Sequence, residues 1–535
     1  MRQIGIPSTG PVLDRRAFIA AGAALGISAL AGRASAQPRP SEIIGTAVAA
    51  PDLALVNARF VDHRGVVGDT LLLANDRIHS VGFGIAVDRT LPAVDLGGRT
   101  VIPGFVDAHV HYTRAGVNPG HQERRVERAF SIAELQETIA ARAARVPRGE
   151  VITCIGGWSP LQFREARLPT RAELDEAAPE HAVYLSGSGR GAGAVTNGRG
   201  ASFFAARGIA VDEDTGIVAS PNDALAALRA AQTDEDRLRG TAELNAYAAS
   251  VGLTTVVNTG NFEDQRFPLA LWRDGRLGVR MRPLFPADSP DEAEARAREN
   301  LEQAGRAVGD DLYRPVGFGE RIGGVNTMSD AFEPTARVIA RHGWLLQQHS
   351  ITREENAFHV AAIERIAREY PLAPLRWSLL HLQEISDEHL DALGRLGCGA
   401  SAQTWTYLSA AGGPPFRRIV DSGIPAGVGT DSTNVSPLDP WLALFYMTTG
   451  RNLAGELTND GQQVSRLEAL RLYTQGAAWF CFDDDRVGSF DAGKLADLAV
   501  LSADFLTVPD EDLRRIESVL TLVGGRVVHA AAPFA

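Results

Sequence analysis

The chain has 535 residues, 45% of them apolar and 22% charged, the balance of an ordinary globular protein with room for more than one domain. Its net charge of −12, with no Lys/Arg cluster set against it, excludes a nucleic-acid-binding surface. Three well-separated cysteines, Cys154, Cys398 and Cys481, exclude a disulfide framework and a sulfur-ligated zinc site, and read as buried free thiols.

At the N-terminus, Asp14-Arg15-Arg16-Ala17-Phe18-Ile19 leads into an Ala/Gly-rich apolar run that ends near Ala31, and Ala34-Ser35-Ala36 offers a small-x-small cleavage site. Residues 1–36 therefore read as a twin-arginine-type signal peptide, with a mature chain from near Gln37 exported to the periplasm or otherwise by that route. The run is too short and too rich in Ala and Gly for a good membrane span, so no stable membrane insertion is expected after signal removal.

Short strands and turns follow. Residues 53–58, 69–73, 77–82 and 99–102 read as strands, broken by Asp62-His63-Arg64-Gly65, Asn75-Asp76 and Gly97-Gly98. The same texture returns only at the far end, at 496–501, 518–523 and 524–529. Residues 37–102 plus 484–535 are thus expected to build one small β-sandwich domain from both termini.

Between these ends the chain alternates strands with helices, the pattern of parallel βα units. The first strand runs from Pro103-Gly104 to Val106-Asp107-Ala108-His109-Val110-His111. Residues i and i+2 of a strand share a face, so His109 and His111 set two imidazoles side by side. Neutral imidazole is the commonest protein ligand for zinc and its neighbours. Further strands are predicted at 252–258, 279–284, 314–320, 344–349, 376–381, 399–403 and 426–431, with helices near 234–250, 360–369, 387–396 and 416–422. That makes eight strands, the count of an α/β TIM (β/α)8 barrel, whose catalytic groups lie at the C-terminal strand ends. His109, His111, Glu320, His349, His381 and Asp431 all sit at such ends, so closure of the barrel over 103–483 would bring them to one pocket.

Residues 113–245 are too many for a βα loop. They read as an inserted α/β subdomain over the pocket mouth, with a helix at 131–145, strands at 151–155 and 182–186, and a flexible Gly-rich loop at 187–200. That loop carries no Walker lysine.

The motif Pro103-Gly104-Phe105-Val106-Asp107-Ala108-His109-Val110-His111, the Gly156-Gly157-Trp158 turn, Leu168-Pro169-Thr170-Arg171, Leu380-His381, Gly429-Thr430-Asp431-Ser432 and the closing segments at 488–500 and 524–528 resemble the metal-dependent amidohydrolase superfamily. They are most similar to its amidohydrolase-3 branch, the N-substituted formamide deformylase-like proteins, over essentially the whole mature chain. The resemblance implies a TIM barrel beside a β-sandwich, His109, His111 and Asp431 on one metal, and His349 and His381 on a second. It implies a divalent cofactor, zinc first, as one or two ions. Many relatives carry a carbamylated lysine on the fourth strand in a V-K-x-F-x-D-G segment. Here Val316-Gly317-Phe318-Gly319-Glu320 has glycine there. Glu320 either replaces the carbamate, since a carboxylate also offers two anionic oxygens, or only hydrogen-bonds beside a single metal. Relatives also often carry a His near Ala192, a position read as substrate-facing.

A metal held by His and Asp activates water and polarises a carbonyl, and Asp431 can shuttle the proton to the leaving nitrogen. The expected reaction is hydrolysis of an amide, N-acyl or N-formyl, or cyclic amide bond of a small molecule, with Tyr112, Trp158 and Gln383 lining the pocket and a homodimer as the oligomer to test. Two alternatives stand. Deaminases of the superfamily often carry a Glu three residues after the fifth-strand His, where this chain has Thr352. An exported binding protein with a degenerate metal site would explain the missing lysine.

Overall fold

Residue Phe105 begins a strand, Phe105–Val110 (β1), that is buried along its whole length. Seven more follow in chain order: Leu253–Asn258 (β2), Arg280–Phe285 (β3), Gly317–Phe318 (β4), Leu345–Ser350 (β5), Ser378–His381 (β6), Gly399–Gln403 (β7) and Ala426–Gly429 (β8). They form one eight-stranded sheet in sequential order, every neighbour parallel. Such strands are covered on both faces, which explains their near-continuous apolar and small residues. The circle closes where β8 meets β1: Asp431 N donates to His109 O at 3.0 Å and His111 N to Ser432 O at 3.0 Å. A Cβ on Gly429 would lie 2.5 Å from His109 N, so only glycine permits this approach. The architecture is a TIM barrel. This computed structural model describes residues 49–535, apart from Arg190, 261–262, 305–308 and 433–434. The signal segment read at 1–36 lies outside the described residues.

The strand before β1, Thr100–Pro103, belongs to a different sheet. It pairs parallel with Arg59–Asp62 and antiparallel with Leu498–Leu501, so N- and C-terminal segments share one six-stranded sheet. A four-stranded sheet built around Leu53–Val56 and Thr70–Ala74 packs near it through Phe60, Leu71, Val101, Leu498 and Leu520. The long connection after β1 carries a further four-stranded sheet, ordered Ala194–Thr196, Ala182–Ser186, Val151–Ile155, His121–Gln122.

Two expectations need correction. The segment 314–320 contributes only Gly317–Phe318 to the ladder. Pro315 has no N–H to give, and glycines at 317 and 319 weaken a strand. The Gly-rich stretch at 187–200 is not loop throughout. Ala194–Thr196 pairs antiparallel with Ala182–Ser186, and the Asn197 side chain accepts from Gly200 N to start helix Gly198–Ala205. Capping also lengthens a helix beyond its predicted span. Thr352 and Glu355 form a reciprocal capping box that starts Arg353–Ala367. All three cysteines are buried and free. No helix among the described residues is long and apolar enough to cross a membrane.

Candidate metal centre

The C-terminal ends of the barrel strands surround a cavity of about 1300 Å³. Alternation along β1 aims Asp107 and His109 inward, while Val106 and Ala108 pack outward against Ala477 and Phe480. His111 sits at the turn into helix Tyr112–Gly116, which Asn258 of β2 anchors by accepting from Thr113 N at 2.9 Å. Glu320 follows β4, His349 lies in β5, His381 ends β6 and Asp431 follows β8.

All six predicted donors meet there. Glu320 Oε1 is 3.3 Å from His111 Nε2, while its Oε2 is 3.2 Å from His349 Nδ1, 3.3 Å from His381 Nε2 and 3.5 Å from His109 Nε2. Asp431 Oδ1 is 3.2 Å from His111 Nε2 and 3.6 Å from His109 Nε2. Donor atoms of His109, Glu320 and His381 lie within 4.8 Å of one another, as do those of His109, His111 and Asp431. The ring nitrogens of fully buried His109 have no hydrogen-bond partner, nor has His381 Nδ1. Such orphans inside a folded chain call for a further partner.

The electrostatics point the same way. Burial works against the Glu320 and Asp431 carboxylates, but hydrogen bonds from the surrounding histidines outweigh it and hold both well below the usual carboxylate range. Burial likewise disfavours a charged His111, yet Asp431 and Glu320 raise its pKa to about 9. His381 is pushed down by burial, which leaves a neutral imidazole with a free lone pair. The cluster thus favours positive charge at its centre, which suits a cation. The backbone is strained there too: His381 and Asp431 hold φ values of 71° and 56°.

Gly317 stands at the position of the relatives' lysine, and a Cβ there would lie 2.4 Å from Leu345 O on the next strand. No side chain fits at 317, and the carboxylate comes from Glu320 instead.

Three expected pocket residues lie elsewhere. Tyr112 is fully buried and donates to Asn245 Oδ1 at 2.9 Å, because the helical turn after His111 swings it toward helix Asp234–Ser250. Trp158 packs in the core of the insertion against Phe163. Gln383, in the loop after β6, does not line the cavity. Ala192 is exposed and also outside it. Sequence reasoning missed Asp107 and Arg114. Asp107 Oδ1 accepts from His109 N at 3.1 Å and Thr430 N at 3.0 Å, and its Oδ2 from Thr430 Oγ1 at 2.6 Å, so one buried carboxylate ties the His109 strand to the Asp431 loop. Burial raises its pKa to about 7. Its place two residues before His109, on the same face, was the available signal. Arg114 lines the cavity one helical turn after His111, and no pattern marks it. Thr352, the position that weighs against a deaminase, serves as a helix cap, and Glu355 is engaged by that cap and by Thr327.

The family model described as the amidohydrolase family matches residues 93–529. The chain is 25% identical over 543 residues to an N-substituted formamide deformylase of Arthrobacter pascens, covering 89% of this chain and 97% of that protein. In structure it is similar to a metal-dependent hydrolase of Pyrococcus horikoshii, with a TM-score of 0.56 at 20% identity over 86% of this chain and 99% of that one. It is also similar to the atrazine chlorohydrolase of Arthrobacter aurescens TC1 solved with zinc, with a TM-score of 0.53 at 15% identity over 89% of this chain and 95% of that one.

Proposed function

This chain belongs to the amidohydrolase family, and from that premise we propose that it hydrolyses a non-peptide carbon–nitrogen bond with metal-activated water. The bond is an amide, N-acyl, N-formyl or cyclic amide of a small molecule. The observation that carries the reading is the convergence on Glu320, with four imidazoles within 3.5 Å of one carboxylate. The donor set fits a divalent cation: buried imidazole nitrogens without partners, flanked by two ionised carboxylates. His109, His111 and Asp431 would hold one ion, and His349 and His381 a second. Glu320, with Oε1 toward His111 and Oε2 toward His349 and His381, would span the two. Nitrogen and oxygen donors without sulfur suit zinc, the metal we propose.

A cation bound there makes water a nucleophile near neutral pH and polarises the scissile carbonyl. The Asp431 carboxylate, held ionised by its histidine neighbours, accepts the proton of the attacking water and returns it to the leaving nitrogen. A carbon–oxygen bond forms, the carbon–nitrogen bond breaks, and carboxylate and amine leave. Asp107 keeps the base in register by fixing Thr430 beside it. Export in the folded state by the twin-arginine route is part of the same proposal, supported by Arg15-Arg16 and the apolar run after them.

The test is metal analysis with a substrate panel of N-acyl amines, formamides and lactams, and His109→Ala as the blank. About two zinc ions per chain, amine release by the parent and none by the variant are expected. Equal turnover by His109→Ala would overturn the site. Near-zero metal with no hydrolysis in added Zn²⁺ or Mn²⁺ would favour a binding protein, and ammonia release from aminopurines without amide cleavage a deaminase.

A further inference from the structure

Arg114 is a cation at the reacting centre without a counter-ion of its own. It lines the metal cavity from helix Tyr112–Gly116, and its Nε is closed off from solvent with no hydrogen-bond partner. Among the described residues no carboxylate lies within ion-pair distance of it. Other arginines on the cavity differ: Arg237 and Arg266 share Asp234, and Arg296 holds Glu292. The charges that act on Arg114 are Asp431 and Glu320, in its favour, and Arg229, against it. Arg229 enters the same cavity from helix Pro221–Ala230 of the insertion, also without an ion-pair partner among the described residues. Once a cation engages Asp431 and Glu320, the half-buried Arg114 is left without a compensating anion, while the exposed Arg229 keeps the field of Asp264, which also lines the cavity. A half-buried, unpaired charge is costly unless a ligand supplies its partner.

We propose that Arg114, assisted by Arg229, binds a carboxylate of the substrate, so that the preferred substrates are anionic amides of the N-acyl amino acid type. This rests on the hydrolase reading above. A guanidinium offers a planar fork that meets a carboxylate with two parallel hydrogen bonds. Arg114 follows the donor His111 by three residues, so the carboxylate it holds must lie a short link from the bond being cleaved. The same cavity presents apolar surface for the remaining substituent through Val325 and Val435, 81% and 43% exposed.

The experiment compares matched pairs on the metal-loaded full-length enzyme: N-formyl-leucine against N-(3-methylbutyl)formamide, and N-acetyl-leucine against its decarboxy counterpart. Each pair differs only by the carboxylate. The parent should prefer the anionic member by about 10- to 100-fold in kcat/KM, the range of a charge-assisted hydrogen bond. Arg114→Gln should collapse that ratio, mainly through KM, and Arg114→Lys should restore part of it. Calorimetry with the product leucine supplies a readout apart from turnover: its affinity should fall in Arg114→Gln. Zinc content checks that the variants keep the site. Equal cleavage of both members by the parent, or an undiminished ratio in Arg114→Gln, overturns the proposal while the hydrolase reading stands. A parent that cleaves only amides outside these pairs does the same. No hydrolysis of any amide brings down that reading, and this one with it.

Discussion

The two ends of the barrel both bury charge, and they do so in opposite ways. At the N-terminal end of β3, Arg280 gives two hydrogen bonds to Asp497, at 2.6 and 2.8 Å, and Arg282 gives one to Asp483 at 2.6 Å. Arg314 completes the Asp483 pairing at 2.8 Å. Each cation there has a carboxylate within hydrogen-bond distance, Asp483 serving both Arg282 and Arg314, and the pairs fasten the C-terminal segment under the barrel. At the opposite end two carboxylates face four imidazoles, some with orphan nitrogens, on strained backbone, with the half-buried Arg114 beside them and no ion-pair partner for it among the described residues. Satisfied charges serve the fold. Charges left short of a partner await a ligand, and the satisfied end holds the other in place.

The largest effects should separate the two ends. Glu320→Gln removes the carboxylate that every site histidine faces. Losing metal-borne stabilisation of several kcal/mol should lower kcat/KM by about a thousandfold or more. Its urea midpoint should fall, because the neutral amide forfeits the histidine hydrogen bonds that favour the ionised carboxylate, but by less than that of Asp483→Ala. Asp483→Ala should behave inversely. It strands Arg282 in the interior at a cost of about 3–5 kcal/mol, while kcat/KM per folded molecule stays within about twofold. Denaturation and active-site titration of both variants check this; a stability loss confined to Glu320→Gln would erase the contrast.

Asp107→Asn probes the joint between β1 and β8. The amide oxygen can still accept from His109 N and Thr430 N, but the anionic acceptor of Thr430 Oγ1 is gone. Positioning groups of this kind are worth about 10- to 100-fold in metal affinity or activity, so zinc affinity should weaken by that factor with the fold intact. An unchanged affinity would show that barrel closure alone aligns His109 with Asp431.

Much of this was legible because a TIM barrel repeats one rule: an apolar run that ends in a polar residue marks a strand and its mouth. The runs ending at His111, His381 and Asp431 follow it. The fourth strand was readable only as a candidate, because Pro315, Gly317 and Gly319 blur the run. The reason for Gly317, the backbone of Leu345 pressed against it, exists only in three dimensions. Orientation was the weak point. Tyr112 and Trp158 adjoin motif residues, yet a helical turn and a separate core aim them elsewhere. Arg114 was invisible for the same reason, since which face of a five-residue helix meets the cavity depends on Asn258 of a distant strand.

The smallest effect concerns the layer behind the donors. His359 is fully buried, its Nδ1 3.0 Å from Ser350 Oγ and its Nε2 2.8 Å from Thr327 O. Burial pushes its pKa down from 6.5 to about 4, the bond to Thr327 opposing only in part. The unfolded chain therefore binds a proton between pH 6.5 and 4 that the folded chain refuses. The stability this group contributes is complete above about pH 6.5 and drains away as the pH falls toward 4, at a limiting slope of about 1.4 kcal/mol per pH unit. His359→Gln cannot take up that proton. The variant should be less stable than the parent at pH 7.5, and the gap between their urea midpoints should narrow at pH 5. Donor histidines are common to both chains, so their own acid lability cancels in the difference. A gap that stays constant with pH would mean that His359 accepts its proton as readily folded as unfolded, and the layer behind the site would then resemble the satisfied end of the barrel no better than the site itself does.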